Sequence, residues 1–593
     1  MPIRWTDLRR TAVATLFGWS VLAWQCSRAF PFIADDTLIS LRYSERLAAG
    51  QGLSWTDGEW VEGYSNLLYV LLCAALGAVG LDLILAARVI GIGAAAAAVL
   101  GVAAYGARSG WGPALAGAAL LGAAPGLGIW AVGGLEQPLL GALLAGAWGV
   151  ALVADERREG RLALGAGGLF ALAAWTRPDA PLFAVLAGVW GLKRGPGFAL
   201  RLGAPALAAV ALQLGFRLLY YGDWVPNTAH AKLAMSWHRV ETGLAYVWEG
   251  SWPMALLIGV AGVGAVRTES RTRWLLIPAV GAWLVYVGFI GGDIFPARRH
   301  LLPILPALAL LGGQAFRGGS WPVWAGALGL AMGNALAMDS FDSAYARGRA
   351  ERWEWSCGII AAAVGQSFRE ADPLLATNAA GCWPYFSGLD SLDMLGLNDS
   401  HIATHPTPIL GQKLIGHELG DGEYVLRRQP DLLLMGTWEG AEKPGYYGER
   451  QLAKLDGFRS SYRLVRFESQ GQSALIWVRH SSERIGPIAD AHGVVLGPWL
   501  FGKQGPGVVT VLPKQGRPYT RFAKGARSSA SVELPAGTWR VEVEGRGPAV
   551  IQLTGGEVVD GQTVRFDRRA RLGISLVARG GPLQLEGVRL IRQ

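Results

Sequence analysis

Long apolar runs separated by short polar loops fill the first two-thirds of this 593-residue chain. The chain is 51% hydrophobic and only 17% charged, which is too apolar for an ordinary soluble protein. Runs of this length predict a polytopic α-helical membrane protein. The candidate segments lie near residues 11–30, 65–80, 84–106, 113–131, 134–153, 161–176, 179–192, 198–220, 250–266, 274–291, 299–316 and 320–338.

Short loops rich in arginine and lysine mark the cytoplasmic side of such a protein. If the short segment at 65–80 lies in the interface or re-enters, about eleven spans remain and every basic loop falls inside. With this number of spans, the loops 31–64, 221–249 and 291–300 lie outside, together with the C-terminal third. We therefore expect residues 1–338 to form a multi-pass domain in a bacterial cytoplasmic (inner) membrane.

The last third of the chain is predicted to be extracytoplasmic and to contain two domains. Residues 339–483 mix strand-like and helix-like stretches, which favours a small α/β domain. Residues 484–593 show short alternating runs with glycine and proline turns, which is typical of a small β-sandwich. Carbohydrate binding and a spacer or packing role both stay open for this sandwich. Cys357 and Cys382 could pair in an oxidising compartment or remain two thiols.

An acidic pair, Asp35 and Asp36, follows the first apolar segment directly. Adjacent carboxylates repel each other, so they need a metal, a cation or a proton nearby. One of them could be the general base for an acceptor hydroxyl, or both could ligate a divalent cation such as Ca, Mg or Mn. Solvated loop acids are the alternative, but a position at the mouth of a membrane domain favours function.

Other polar residues of the predicted outer loops are candidates for substrate binding. Several have a structural alternative. Glu62 and Tyr64 could buttress the first loop, Glu136 could interact with the dipole of the helix that it begins, and Arg177 could pair with Asp179. The set comprises Arg42, Tyr43, Glu62, Tyr64, Glu136, Arg177, Asn227, His230 and Asp293.

Cationic residues in two of these loops suit an anionic headgroup. Lys232 lies beside amide and imidazole side chains, and Arg298, Arg299 and His300 precede an apolar run. Arginines outside break the positive-inside trend, and pairing with a lipid-linked phosphate is one reason; snorkelling to lipid headgroups is the other. Because nucleotides are cytoplasmic, a lipid-linked phosphosugar is the natural donor. The chain has no basic tract with interleaved aromatic residues, so we expect no nucleic-acid partner.

Several motifs resemble those of a known enzyme class. In the first loop they are 35–43, 50–53 and 61–66, followed by Pro226-Asn227-Thr228 with Lys232 and by Gly291-Gly292-Asp293 with Arg298; in the last third they are 393–399, 401–403, 416–418 and 430–431. On these motifs the chain resembles the GT-C glycosyltransferases, and within them the terminal arabinofuranosyltransferase family of mycobacterial cell-wall assembly and its bacterial relatives. The resemblance implies an inverting transfer in which an acid of the first outer loop is the base. It does not carry over the identity of the sugar.

The sequence thus predicts a GT-C-like glycosyltransferase that moves a sugar from a polyprenyl-phosphate donor to a cell-envelope glycan or glycolipid. The alternative is a non-enzymatic scaffold or a lipid-linked sugar translocase. A translocase is expected to carry charges along a path through the membrane, whereas the apolar runs are nearly free of them. The acceptor, the linkage and the metal dependence stay open.

Overall fold

The computed structural model of the protein describes residues 5–232, 236–318, 321–502 and 507–593. It divides into two compact units. The first unit comprises Met1–Trp55, Trp60–Arg352 and Pro408–Gly416, and the second comprises Thr56–Glu59, Trp353–Thr407 and His417–Gln593.

The first unit is helical. Its helices are α1 Trp5–Ala29, α2 Asp35–Ala48, α3 Leu67–Ala78, α4 Leu83–Ala107, α5 Trp111–Gly122, α6 Pro125–Gly133, α7 Gln137–Arg157, α8 Gly160–Thr176, α9 Pro181–Gly191, α10 Pro196–Tyr220, α11 Asn227–Lys232, α12 Trp237–Ser251, α13 Ala255–Arg267, α14 Ser270–Ile290, α15 Leu305–Gln314, α16 Trp321–Leu336, α17 Met338–Phe341 and α18 Ser343–Ala350, with short 3-10 turns at Leu192–Arg194 and Arg299–Ile304.

Four of these helices, α4, α7, α10 and α14, are long and apolar enough to cross a membrane. The pairs α5–α6 and α12–α13 also qualify together, but each is bent at a short break, by 56° and 81°. The described residues therefore contain four to six candidate spans, and the predicted number of about eleven is not confirmed. The reason is that several apolar runs form helices too short to cross alone, among them α3 with 12 residues and α15 with 10.

Small residues let the helices of the first unit approach closely. A methyl group at Gly91 would lie 2.4 Å from the carbonyl oxygen of Ala131, and one at Gly122 would lie 2.5 Å from that of Gly18. Contacts this short leave no room for any side chain. Close backbone approach through glycine and alanine is the usual basis of helix association in membranes, because lipid provides no hydrophobic driving force between helices.

The second unit is rich in sheet. Its helices are α19 Cys357–Phe368, α20 Cys382–Ser387, α21 Ser400–Thr404, α22 Gly422–Arg427, α23 Tyr447–Leu452 and α24 Asp456–Ser461. Its strands are β1 Leu375–Thr377, β2 Ser391–Asp393, β3 Leu432–Leu434, β4 Tyr462–Ser469, β5 Gln472–Arg479, β6 Ile488–Asp490, β7 Gly493–Leu496, β8 Val508–Val511, β9 Tyr519–Phe522, β10 Arg527–Leu534, β11 Gly537–Arg546, β12 Ala549–Thr554, β13 Glu557–Asp560, β14 Thr563–Phe566, β15 Ala570–Ala578 and β16 Leu583–Arg592.

Thirteen of these strands form one sheet, whose main path runs β13-β14-β11-β16-β9-β8-β4-β5-β3-β1-β2. Strands β1, β2 and β3 pair in parallel, as an α/β domain requires. The parallel pairing of β4 with β8 continues the sheet across the predicted domain boundary at 483/484. The remaining strands form a second sheet, β10-β15-β12, and residues of both sheets contribute to one hydrophobic core. A sheet-rich C-terminal region is therefore confirmed.

Two further features of the second unit bear on the predictions. Cys357 and Cys382 form a disulfide that joins α19 to α20. The tip of the first loop also belongs to this unit: Asp390 accepts hydrogen bonds from the Thr56 hydroxyl at 3.1 Å and the Asp57 amide at 3.0 Å. The second unit thus includes four residues of the loop that follows the acidic pair.

Candidate functional site

The acidic pair forms the first turn of α2, and the start of this helix is fixed to the turn between α6 and α7. The Ala34 amide and the Thr37 hydroxyl both donate to the carbonyl oxygen of Gly133, at 3.1 and 2.8 Å. Gly134 has a φ of +81°, and a methyl group there would lie 2.6 Å from Cγ2 of Thr37. Only glycine fits this turn. The positive end of the α2 dipole stabilises both carboxylates where the helix begins.

Asp36 meets a cation from a distant part of the chain. The ammonium of Lys232, the last residue of α11, lies 3.9 Å from Oδ2 of Asp36, and the two side chains are 32% and 27% exposed. Helix α11 begins at Asn227, whose amide donates to the carbonyl oxygen of Glu62 at 2.9 Å. The structure therefore brings the first-loop acid and the second-loop lysine together in a place that a ligand can reach.

Several residues of the first loop stabilise its last part, which leads into α3. Arg217 of α10 grips Glu62 with two nitrogens, and the hydroxyls of Tyr64 and Tyr221 are 3.1 Å apart. The Tyr43 hydroxyl donates to the Val61 carbonyl oxygen at 2.8 Å and accepts from the Gly63 amide. Burial raises the pKa of Glu62, and the hydrogen bonds and charge of Arg217 oppose that rise. These contacts match the buttressing alternative for Glu62 and Tyr64.

Arg42 lies on the same helix as the acidic pair and contacts the first loop at Trp55. Its Nε donates to the Trp55 carbonyl oxygen at 3.4 Å, and its Nη1 lies 3.1 Å from Glu45. The Arg42 side chain is 6% exposed, so its guanidinium is committed to the loop scaffold. Its predicted contact with substrate stays a prediction.

Glu136 and Arg177 form the centre of a buried polar network. Nη1 of Arg177 lies 2.8 Å from Glu136, and its Nε and Nη2 grip Asp179 at 2.9 and 2.7 Å. Asn66 donates to Glu136 at 3.1 Å and also to Ser40 of α2. The network thus links α2 to the loop between α8 and α9. Its charges are paired with each other, as the structural alternative for Arg177 predicts.

The loop 291–300 contains a second buried cluster, centred on Asp293. This carboxylate accepts hydrogen bonds from the Tyr246 hydroxyl at 2.9 Å and from Nε of Arg299 at 2.8 Å, and Nε2 of His300 lies 3.4 Å away. Burial lowers the pKa of His300 to about 4. A neutral imidazole supplies no charge to a phosphate, and Arg299 is engaged by Asp293.

Arg298 differs from its two neighbours. It has a φ of +48°, its side chain is 26% exposed, and it pairs with the exposed Glu249 at 2.5 Å. Its guanidinium also stacks 5.1 Å above the ring of Tyr246. Arg298 is therefore the cation of this loop that a ligand can reach.

An apolar cleft opens beside Arg298. It lies between the breaks of the bent pairs α5–α6 and α12–α13, and it holds few polar side chains. Its lining consists of Leu120, Ala123, Ala124, Pro125, Gly126, Gly250, Pro253, Met254, Leu256, Leu257, Ala297, Arg298, Leu302, Leu305, Ala331, Asn334 and Met338. The cleft offers a hydrocarbon-lined space with one cation at its edge.

Aromatic contacts connect the loop 291–300 with the entry to α2. The ring of Phe32 lies 5.7 Å from that of Trp130, which lies 5.8 Å from that of Phe295. The indole of Trp130 also donates to the Pro296 carbonyl oxygen at 2.9 Å. The acidic pair and Arg298 therefore stand on segments that pack against the same tryptophan.

His230 is paired within its own loop. Its Nε2 lies 2.9 Å from Oδ2 of Asp223. Burial opposes ionisation of Asp223, but hydrogen bonds from the Val225 amide and from His230 outweigh it and lower the pKa of this carboxyl. His230 therefore helps to shape the segment that leads to Lys232.

Within the described ranges, the predicted metal site at Asp35 and Asp36 gains no third ligand. Among the residues that the structure describes, no three His, Cys, Asp or Glu side chains are placed to hold a metal ion. Two carboxylates alone fall short of the six to eight oxygen ligands that Ca²⁺ takes. A divalent cation at Asp35 and Asp36 stays a prediction.

Sequence reasoning missed several residues of these clusters. Arg217 carried a signal, because a charge near the end of an apolar run needs a buried partner. Tyr246, Tyr221 and Asp223 carried none, since a tyrosine or an acid in a long loop has no spacing that points to its partner.

The described helical fold, with its four to six candidate membrane spans, resembles that of a solved structure. The crystal structure of ArnT from Cupriavidus metallidurans in the apo state superposes with a TM-score of 0.50 at 14% identity, over 81% of this chain and 99% of that one. At that identity the likeness shows the fold alone. This likeness agrees with the helical membrane fold expected from the motifs, while the number of spans and the β-sandwich stay predictions.

Two proteins of known name are similar to this chain in sequence. The chain is 30% identical over 357 residues to the terminal beta-(1->2)-arabinofuranosyltransferase of Mycobacterium tuberculosis. The aligned region covers 51% of this chain and 54% of that protein. It is 31% identical over 170 residues to the enzyme of the same name from Corynebacterium glutamicum, over 23% of this chain and 24% of that one. The chain thus spans about half the length of the first of these relatives and a quarter of the second. The resemblance to terminal arabinofuranosyltransferases is confirmed. Residues 346–484 also match a family described as a domain of unknown function (DUF8728).

Proposed function

We propose that the protein is an inverting glycosyltransferase that moves a sugar from a polyprenyl-phosphate donor to a cell-envelope glycan or glycolipid. The observation that carries this proposal is the Asp36–Lys232 pair at the start of α2. It joins a carboxylate that can accept a proton with an ammonium that can neutralise a phosphate. Both side chains are partly exposed, so substrate can approach them.

The reaction needs one proton acceptor and one cation at the leaving group. A carboxylate of the pair Asp35–Asp36 takes the proton from the acceptor hydroxyl, whose oxygen attacks the anomeric carbon of the donor sugar. The bond from that carbon to the phosphate oxygen breaks, and polyprenyl phosphate leaves with the electron pair. Lys232 stabilises the charge that develops on the departing phosphate. Attack opposite the leaving group inverts the anomeric configuration.

The apolar cleft supports a lipid-linked donor. Its lining suits an isoprenoid chain, and Arg298 at its edge suits the phosphate to which that chain is attached. Glu249, the partner of Arg298, is 57% exposed, so a phosphate can displace it at little cost in buried charge. The donor thus binds with its chain in hydrocarbon and its phosphate among cations.

The proposed sugar follows from the relatives alone. Both carry arabinofuranosyl transfer in their names, so polyprenyl-phosphate arabinofuranose is the first donor to test. The chain spans about half the length of the Mycobacterium tuberculosis relative. The contacts of the candidate site do not indicate which sugar hydroxyl groups it would recognise. A panel of donors is therefore required.

We further propose that the second unit lies outside the cytoplasm of a bacterial inner-membrane protein. The Cys357–Cys382 disulfide supports this side, because such bonds persist in oxidising compartments. Within the unit, two sheets that share one core support a small β-sandwich over residues 484–593. Carbohydrate binding by that sandwich is part of the proposal, since it would hold the acceptor glycan close to the membrane.

The experiment is a transfer assay with purified full-length protein, a panel of polyprenyl-phosphate sugars and envelope glycan acceptors. Asp35→Asn and Asp36→Asn are compared with wild type, and Asp7→Asn is the matched control. Asp7 also lies in the first turn of a helix and pairs with a cation, Arg10, at 3.2 Å. We expect Asp36→Asn or Asp35→Asn to lose at least a hundredfold in kcat while Asp7→Asn keeps it. Full transfer by both site variants would remove the acidic pair from the mechanism; no transfer by wild type from any donor would favour the scaffold or translocase.

A further inference from the structure

A short segment from the C-terminal third of the chain belongs to the first unit. Residues Pro408–Gly416, called the strap below, cluster with the helical unit, whereas the residues on either side cluster with the second. The two flanks of the strap are joined to each other, because the Thr407 hydroxyl donates to the Glu418 carbonyl oxygen at 2.6 Å. The strap is therefore a loop with its ends held together, like the compact surface loops that often carry function.

The strap contacts the beginning of α12 through its backbone. The Ser236 hydroxyl donates to the Gly411 carbonyl oxygen at 2.7 Å, and Nη1 of Arg239 donates to that of Lys413 at 3.2 Å. Arg239 is buried, and its Cδ lies 3.1 Å from where a methyl group at Gly291 would stand. The strap is thus anchored beside the loop that contains Asp293 and Arg298.

The end of the strap reaches the candidate site itself. A methyl group at Gly416 would lie 3.4 Å from Cε of Lys232, the carbon that bears the ammonium opposite Asp36. Gly416 has a φ of +78°, a conformation that glycine adopts freely and other residues rarely do. A methyl group at this position would be in ordinary van der Waals contact with the Lys232 stem, and the two further methyl groups of a valine would add bulk beside that stem.

We propose that the strap is a positioning element of the active site, and that Gly416 is a positioning residue for Lys232. The strap limits where the flexible lysine stem can swing, so that the ammonium stays near Asp36 and the departing phosphate. This inference rests on the proposed function for its effect on catalysis, but the location of the strap can be tested without catalysis.

The test compares Gly416→Val with Gly388→Val. Gly388 has a φ of +71° and nothing within 4 Å of a methyl group placed on it, so both variants impose the same kind of backbone strain while only one crowds Lys232. We expect Gly416→Val to lower kcat at least tenfold with little change in KM, and Gly388→Val to stay within twofold of wild type. The loss should vanish in a Lys232→Met background, because the lysine is then no longer present to be displaced.

A second measurement does not depend on activity. The labelling rate of Lys232 by a water-soluble amine reagent is followed by mass spectrometry, with Lys193 as control; Lys193 is 40% exposed and also pairs with an acid, Asp155 at 3.6 Å. We expect Gly416→Val to change the labelling of Lys232 at least threefold and that of Lys193 not at all. Altered labelling in a protein that transfers no sugar would support the strap and overturn the proposed function. Equal labelling and equal kcat in Gly416→Val and Gly388→Val would overturn the strap.

Discussion

Replacing Lys232 by methionine separates a catalytic charge from a structural one. Methionine keeps a long apolar side chain and removes the ammonium. Two unit charges 3.9 Å apart attract by about 1 kcal/mol in water and about 4 kcal/mol at an effective dielectric constant of 20. Since the Lys232 and Asp36 side chains are 32% and 27% exposed, water screens them and the lower figure applies. The folded protein should therefore lose no more than about 1 kcal/mol of stability.

The same ammonium should stabilise the transition state by more than it stabilises the folded protein. Charge develops on the departing phosphate, and removing one group that stabilises such charge typically costs about 2.7–4 kcal/mol, or about 10²–10³ in kcat. We expect Lys232→Met to fall in that range and Lys232→Arg, which keeps the charge, to recover part of the rate. The assay is sugar transfer by purified protein at saturating donor, with the thermal midpoint measured on the same preparations.

Lys193→Met is the matched control for this substitution. Lys193 is comparably exposed, and its ammonium lies 3.6 Å from Oδ2 of Asp155. Asp155 is buried but keeps Arg194 as a partner at 2.7 Å, so Lys193→Met should also lose little stability. Only Lys232→Met should lose activity. A catalytic role for the Lys232 ammonium is ruled out if Lys232→Met keeps more than a tenth of the wild-type kcat, or if its activity falls only in proportion to its folded fraction.

Three further predictions concern the buried groups and the disulfide. Arg177→Met should destabilise the protein by about 3–5 kcal/mol, because it leaves buried carboxylates without their partner, and thermal unfolding would contradict this if the midpoint stayed at the wild-type value. Because burial lowers the pKa of His300 to about 4 from an ordinary value of 6.5, the unfolded chain binds the extra proton as the pH falls between these values, and about 3 kcal/mol of stability is lost. His300→Gln should flatten the fall in thermal midpoint between pH 7 and pH 4, whereas the control His230→Gln should follow wild type. Reduction of the Cys357–Cys382 bond should cost the second unit about 2–4 kcal/mol, and Cys357→Ser should then unfold alike with and without reductant.

Much of the framework could be predicted because it depends on local patterns. The apolar runs identified a helical membrane unit, and the change to short alternating runs identified a sheet-rich C-terminal region. The acidic pair stood out because two adjacent carboxylates after an apolar run are costly without a partner. These features need only a window of sequence to be recognised.

What could not be predicted depends on long-range pairing. The partner of Asp36 is nearly two hundred residues away, and nothing in the spacing of Lys232 names Asp36 rather than another acid. The number of spans was also beyond the sequence, because hydropathy does not show where an apolar run breaks into helices such as α5 and α6, bent by 56°. The strap could not be predicted for the same reason, since the sequence of a loop carries no signal of the unit to which the loop belongs.

The buried networks narrow the choice of catalytic groups. Glu62, Glu136, Arg177, Asp293 and Arg299 are all less than 12% exposed, and each forms a short ion pair within the first unit. A substrate would have to break such a pair to reach any of them, and breaking a buried pair costs several kcal/mol. Asp36, Lys232 and Arg298 are 26–32% exposed and form pairs that solvent already screens, so a sugar phosphate can replace their present partners cheaply. The rigid pairs therefore fix the position of the loops, and the exposed charges are left to act on the substrate.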